Sequence, residues 1–94
     1  MRILKEFDER GIKCTVFSWN GKISVKCEKD LLEQIFKFRD GSGIDSAADA
    51  ELFLDDSFFE TVEHCFERMA SLRFERCKNL QELKGLSTEF DVII

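Results

Sequence analysis

The chain has no proline, a single histidine and a single tryptophan, and no apolar run approaches the roughly 18–20 residues that span a bilayer. A membrane-spanning helix is therefore excluded. The opening stretch from Met1 to Phe7 carries no apolar signal segment, so a cytoplasmic chain is expected. Four cysteines occur, Cys14, Cys27, Cys65 and Cys77, but no C-x-x-C pair. Cys65 and Cys77 would lie about 18 Å apart on one predicted helix, too far to share a metal. His64 has no serine or cysteine placed to use it, so no nucleophile–base pair can be assembled and an enzyme is the least expected class. No metal and no cofactor are expected. With 94 residues the chain makes one domain. A domain of that size hides roughly 60–65% of the surface its unfolded chain exposes, enough for one core but not for a large enclosed cleft as well.

What is present is a globular composition, 44% hydrophobic and 35% charged, with ten phenylalanines. The net charge of −5 and pI near 4.9 exclude a surface that is basic throughout. The charge is uneven. Residues 1–44 hold nine Lys and Arg against seven Asp and Glu, whereas 45–67 hold eight acids and no base. Residues 68–84 then hold five bases and two acids. Acids early and bases late on a helix complement its macrodipole, each worth about 0.3–1 kcal/mol at the surface.

Residues 1–40 read as an antiparallel meander. Asn20-Gly21 is a strong hairpin signal, because a type I′ turn needs positive φ at both positions. The two-residue loop sets Trp19 opposite Lys22, Phe17 opposite Ser24, Val16 opposite Val25 and Cys14 opposite Cys27. Ile12, Cys14, Val16, Ile23, Val25 and Cys27 then share one face, a core face by period-two alternation. Lys13, Thr15, Phe17, Trp19, Lys22, Ser24, Lys26 and Glu28 share the other. A polar turn at Glu28-Lys29-Asp30 leads to a further strand, Leu32 to Arg39. It sends Leu32, Phe36 and Phe38 to the core and Ile35, Lys37 and Arg39 to the Phe17/Trp19 face. Ile3 to Phe7 forms another strand, with Gly11 at the left-handed position of its turn. Three or four strands follow.

Residues 45–84 read as helical. Asp45 or Ser46 caps a short helix to about Leu54, and Asp55-Asp56-Ser57 caps a second. Phe59, Val62, Cys65, Phe66, Met69 and Leu72 form an amphipathic stripe that packs on the sheet's core face. The helical signal continues to Leu83, and Gly85 is the expected stop. A helix of that length reaches about 42 Å, beyond the roughly 27 Å of an eight-residue strand. It must therefore break or overhang, leaving Phe74, Cys77, Leu80 and Leu83 in need of another surface. A partner subunit is preferred over a helix that bends back or frays. The tail, 86–94, is apolar and β-prone near its end, and either adds a strand to a sheet edge, in its own chain or another's, or is a disordered terminus. The fold class is α+β, a three- or four-stranded meander with a long C-terminal helix on one face.

Ile3-Leu4, Glu6-Phe7, Gly11-Ile12-Lys13, Thr15-Val16-Phe17, Leu32-Glu33-Gln34 and Phe36-Lys37-Phe38 resemble a group of short, uncharacterised bacterial proteins with a strand meander followed by a helix. The resemblance covers roughly residues 1–75 and implies a fold but no activity. The extension after Cys77 departs from the pattern.

Two surfaces stand out as candidate interaction sites. On the second sheet face, Phe17, Trp19 and Ile35 lie among Lys22, Lys26, Lys37 and Arg39. Aromatics beside cations on a sheet can stack single-stranded bases, at about 1–3 kcal/mol per stack. They can equally form the apolar centre of a protein interface, or be covered within the chain. Glu28 and Glu33 on the same face, and the negative net charge, weigh against nucleic acid. The other surface is the distal helix, with Phe74, Leu80 and Leu83. A small self-associating interaction or adaptor module, a homodimer or a binder of another protein, is the function expected first. Single-stranded nucleic-acid binding and inhibition of a larger complex are the alternatives. Cys14 and Cys27 face each other closely enough for a cross-strand disulfide, but buried reduced thiols are expected in a cytoplasmic chain. His64 is expected at the surface, Gly41-Ser42-Gly43 as an ordinary loop, and Asp45, Asp49, Asp55 and Asp56 as caps and solvated surface.

Overall fold

A computed structural model describes residues 1–87. Its order is β1 (Arg2–Glu9), β2 (Ile12–Trp19), β3 (Lys22–Lys29), β4 (Leu32–Lys37), α1 (Ala47–Phe53) and α2 (Asp56–Ser87). The four strands form one antiparallel sheet in the order β1-β2-β3-β4, and the helices pack on one face. The expected α+β architecture is the one found.

Three two-residue turns build the meander, and each has positive φ at both positions: Arg10-Gly11, Asn20-Gly21 and Asp30-Leu31. These dihedrals follow the right-handed twist of the flanking strands. The β2–β3 register agrees residue for residue with the expectation from Asn20-Gly21, from Lys13↔Glu28 to Trp19↔Lys22. The turn expected at Glu28-Lys29-Asp30 is displaced. The ladder continues to Lys29↔Leu32, and the reversal falls on Asp30-Leu31. Leu31 thus takes φ +65°, in the left-handed region that costs a branched side chain about 1–2 kcal/mol. β4 also ends earlier than Arg39, at Lys37, although Phe38 N–H still donates to the Ile23 carbonyl at 3.2 Å.

The tail expected as a β-strand, at Phe90–Ile94, lies outside the described residues.

The core face holds the residues the alternation assigned to it. Ile12, Cys14, Val16, Val25 and Cys27 are fully buried, with Phe59, Val62 and Phe66 of α2 laid across them. Cys14 and Cys27 are register partners with free thiols. Hydrogen bonding to Cys27 and then burial push the Cys14 thiol far above its usual range, so Cys14 stays protonated inside the core, while the same hydrogen bond draws the Cys27 thiol down. Gln34 also faces the helix, and its Nε2 donates to the Val62 carbonyl at 3.2 Å. At the end of the core beside α1, Phe38, Phe53, Phe58 and Phe36 form a cluster with centroids 4.9–5.9 Å apart, edge-to-face except for the tilted Phe53–Phe58 pair. Phe59 extends it to Phe7.

Both helix starts are capped as the sequence suggests. Asp49 N–H donates to Ser46 Oγ at 3.2 Å, and Phe58 N–H donates to Asp55 Oδ1 at 2.8 Å. α2 departs from expectation at its far end. It does not stop at Gly85 but runs through to Ser87, because Gly85 does not adopt the positive φ that a terminating glycine uses. Its 32 residues reach about 48 Å at 1.5 Å per residue, close to the 54 Å long axis of the molecule. Arg73 Nη1 donates to the Asp30 carbonyl at 2.9 Å, which marks the point where the helix leaves the sheet. Leu72, expected in the packed stripe, is 63% exposed, since the sheet ends beneath it. From Ser71 to Gly85 every residue is exposed.

Candidate functional site

The open sheet face is built by alternation and changes character from one end to the other. At the Arg10/Asp30 end, Asp8, Lys13, Glu28 and Glu33 sit in one cross-strand row. Lys13 lies 3.6 Å from Glu6, and Lys26 lies 3.1 Å from Glu28. Charges of both signs compensate there. At the Asn20-Gly21 end the face is apolar. A hollow of about 370 Å³ is lined by Phe17, Trp19, Ile35 and Phe38, with Lys22 and Lys37 at its edges. Trp19 is 57% and Ile35 46% exposed, while Phe17 is half-buried. Lys26, expected beside this group, is held by Glu28 instead, whereas no ion pair engages Lys22 or Lys37 among the described residues. Thr15 and Ser24 lie on the same face yet are buried beneath the longer side chains.

One member of this surface was not legible. Counting back from the Arg10-Gly11 turn places Leu4 opposite Phe17 and sends Ile3 inward. A register shift between Ile3 and Lys5 reverses this, so that Ile3 pairs with Phe17 and is 51% exposed. Leu4 packs against the core instead. Phe38 has two roles, with its ring 4.9 Å from Phe53 and an edge in the hollow. The core assignment from alternation was therefore half of its environment.

The second surface is the distal half of α2, beyond the sheet. Leu72, Phe74, Leu80 and Leu83 are between 51% and 68% exposed. At 100° per residue, Leu72, Leu80 and Leu83 fall within about 80° of one another, while Phe74 lies roughly opposite Leu72. The two surfaces do not meet. The hollow is on the face away from the helices, at the end of the sheet opposite the Asp30 turn where α2 departs. The structure thus separates the expected site residues into Phe17, Trp19, Lys22, Ile35 and Lys37 on one side and Phe74, Leu80 and Leu83 on the other.

The remaining candidates resolve into ordinary roles. His64 is exposed, its Nδ1 3.9 Å from Glu67. Asp49 and Asp55 accept backbone N–H bonds at helix starts, and Asp56 lies 3.7 Å from Arg10. Among the described residues no three His, Cys, Asp or Glu side chains are grouped to hold a metal, and no helix is long and apolar enough to cross a membrane. Compared with known proteins, the chain matches no family model, no curated protein and no solved structure.

Proposed function

We propose that this protein is an interaction module that self-associates through the distal half of α2. The observation that carries it is a helix of 32 residues that runs on past the sheet, with every residue from Ser71 to Gly85 exposed and four large apolar side chains among them. An isolated helix of about 15 residues is marginal in water, and most helices in proteins draw their stability from packing an apolar face. An exposed helical arm with leucines on one side is accordingly suited to a partner surface. The fold ends its own packing at Arg73, so the arm can be engaged without disturbing the core.

Sedimentation velocity over a concentration series tests this. The native chain should show a mass above that of the monomer, and Leu83→Glu should return it to monomer while leaving the thermal midpoint within a few degrees. A native chain that stays monomeric overturns the proposal.

A second reading, single-stranded nucleic-acid binding, draws on the hollow at Trp19, where two unpaired lysines flank aromatic rings. It predicts that oligonucleotide quenches Trp19 fluorescence at low salt and that salt reverses the effect. Emission indifferent to oligonucleotide removes it.

A further inference from the structure

Beside the buried line of α2 runs a second one. Phe58, Cys65, Met69, Leu72, Arg76 and Leu83 share one three-and-four seam frame, whose two intervening positions are Val62, buried on the sheet, and the polar Asn79. It lies about a quarter-turn around the helix from Phe59 and Phe66. Burial follows this geometry. Phe58, Cys65 and Met69 are half-buried, Phe58 by rings of β4, α1 and α2 together, and Leu72, Arg76 and Leu83 are exposed. The seam therefore starts on the packed half of α2 and continues along the exposed half.

This seam is complementary to itself when reversed. Laid antiparallel with Met69 opposite Leu72 of a second copy, it also sets Phe58 opposite Leu83, Cys65 opposite Arg76 and the buried Val62 opposite Asn79, each pairing occurring twice. Flanking the seam, Arg68 then falls beside Glu75 of the other copy, again twice. A parallel pair would instead stack Arg76 on Arg76 and bring Arg68 of one copy near Arg73 of the other. The larger charge pattern agrees. The first part of α2 belongs to a stretch, 45–67, with eight acids and no base, and 68–84 carries five bases and two acids. Parallel pairing sets like against like, whereas antiparallel pairing sets the basic arm of one copy along the acidic half of the other.

From this we infer that the occupant of the arm is a second copy of this chain, docked antiparallel along α2 with its two-fold axis between Met69 and Leu72. The inference rests on the self-association proposed above and adds its orientation and register. The dimer crosses at the point where each helix leaves its sheet, so each arm lies along the partner's proximal half and the two sheets stay apart.

The test is a charge swap in the full-length chain, read by sedimentation equilibrium, with circular dichroism confirming the fold of each variant. Arg68 and Glu75 are seven residues apart on exposed positions of one helix, too far to pair within a chain. Glu75→Arg places two like-charged pairs across the interface and should weaken association by about tenfold. Adding Arg68→Glu should restore the native affinity to within about threefold. Glu75→Arg without effect, or a double variant no better than the single one, overturns the register. If Leu83→Glu still dissociates the protein in that case, self-association stands with another geometry. A native chain that is monomeric at every concentration overturns both and leaves the arm to a different partner.

Discussion

The two halves of α2 are one continuous helix in two different environments. The proximal half, 56–70, carries Phe59, Val62 and Phe66, each no more than 4% exposed. The distal half carries Leu72, Leu80 and Leu83, and each of these is more than half exposed. Local pattern therefore does not decide burial. The sheet does, because four short strands extend only as far as their turns, and the helix crosses the Asp30 turn at Arg73 with more than three further turns to run. A helix longer than the surface beneath it presents its remainder to something else. This difference in surroundings, rather than any difference in propensity, separates the structural half from the half available for function.

The sharpest way to break the comparison is to truncate an apolar side chain in each half. Phe59→Ala removes a ring that packs edge-on against Phe7 and Phe58, and should cost about 3–5 kcal/mol in urea unfolding. Leu80→Ala, measured in dilute monomer, should cost less than about 0.5 kcal/mol. A loss above about 2 kcal/mol at Leu80 would mean that the arm packs within its own chain. A smaller effect is expected at the junction. Leu31 is 98% exposed and holds φ +65°, where the other two hairpins place Gly11 and Gly21. Leu31→Gly should raise stability by about 0.5–1 kcal/mol, since relief of the left-handed strain outweighs the added freedom of the unfolded chain. A loss of stability would show that Leu31 makes contacts that offset its conformation.

Much of the fold was legible because a few residues over-determine it. Asn20-Gly21 sets one register, the alternation of Ile12 to Cys27 then sets the faces, and Asp55 starts α2. The misses share a physical cause, in that each depends on a conformation the residue type does not announce. Leucine disfavours positive φ, so the Asp30-Leu31 turn was hidden behind the polar residues before it. The shift at Leu4 carries no glycine or proline, so Ile3 changed face unannounced. Phe58 follows a cap and lies one residue off the main stripe, yet it joins the aromatic cluster because α1 turns Phe53 towards it. For the candidate surfaces, the sequence supplied the side chains but not their separation. The Trp19 hollow and the α2 arm proved to be at opposite ends and on opposite sides.

The smallest expected effect gives the cleanest measure of how independent the arm is. Gly85 lies within α2, its φ is not in the positive range, and an added Cβ would meet nothing within 4 Å. Gly85→Ala therefore introduces neither strain nor clash, and gains about 0.5–1 kcal/mol of local helix propensity. If the arm unfolds separately from the core, that gain stays local. Amide exchange along residues 78–85 should slow several-fold, while the global unfolding free energy changes by no more than about a few tenths of a kcal/mol. In a chain whose two helix halves melt together, the same substitution would instead raise global stability by the full propensity difference. Repeating the measurement above the association concentration separates the cases further. There the arm is held by its partner, so the local gain should pass into the stability of the dimer.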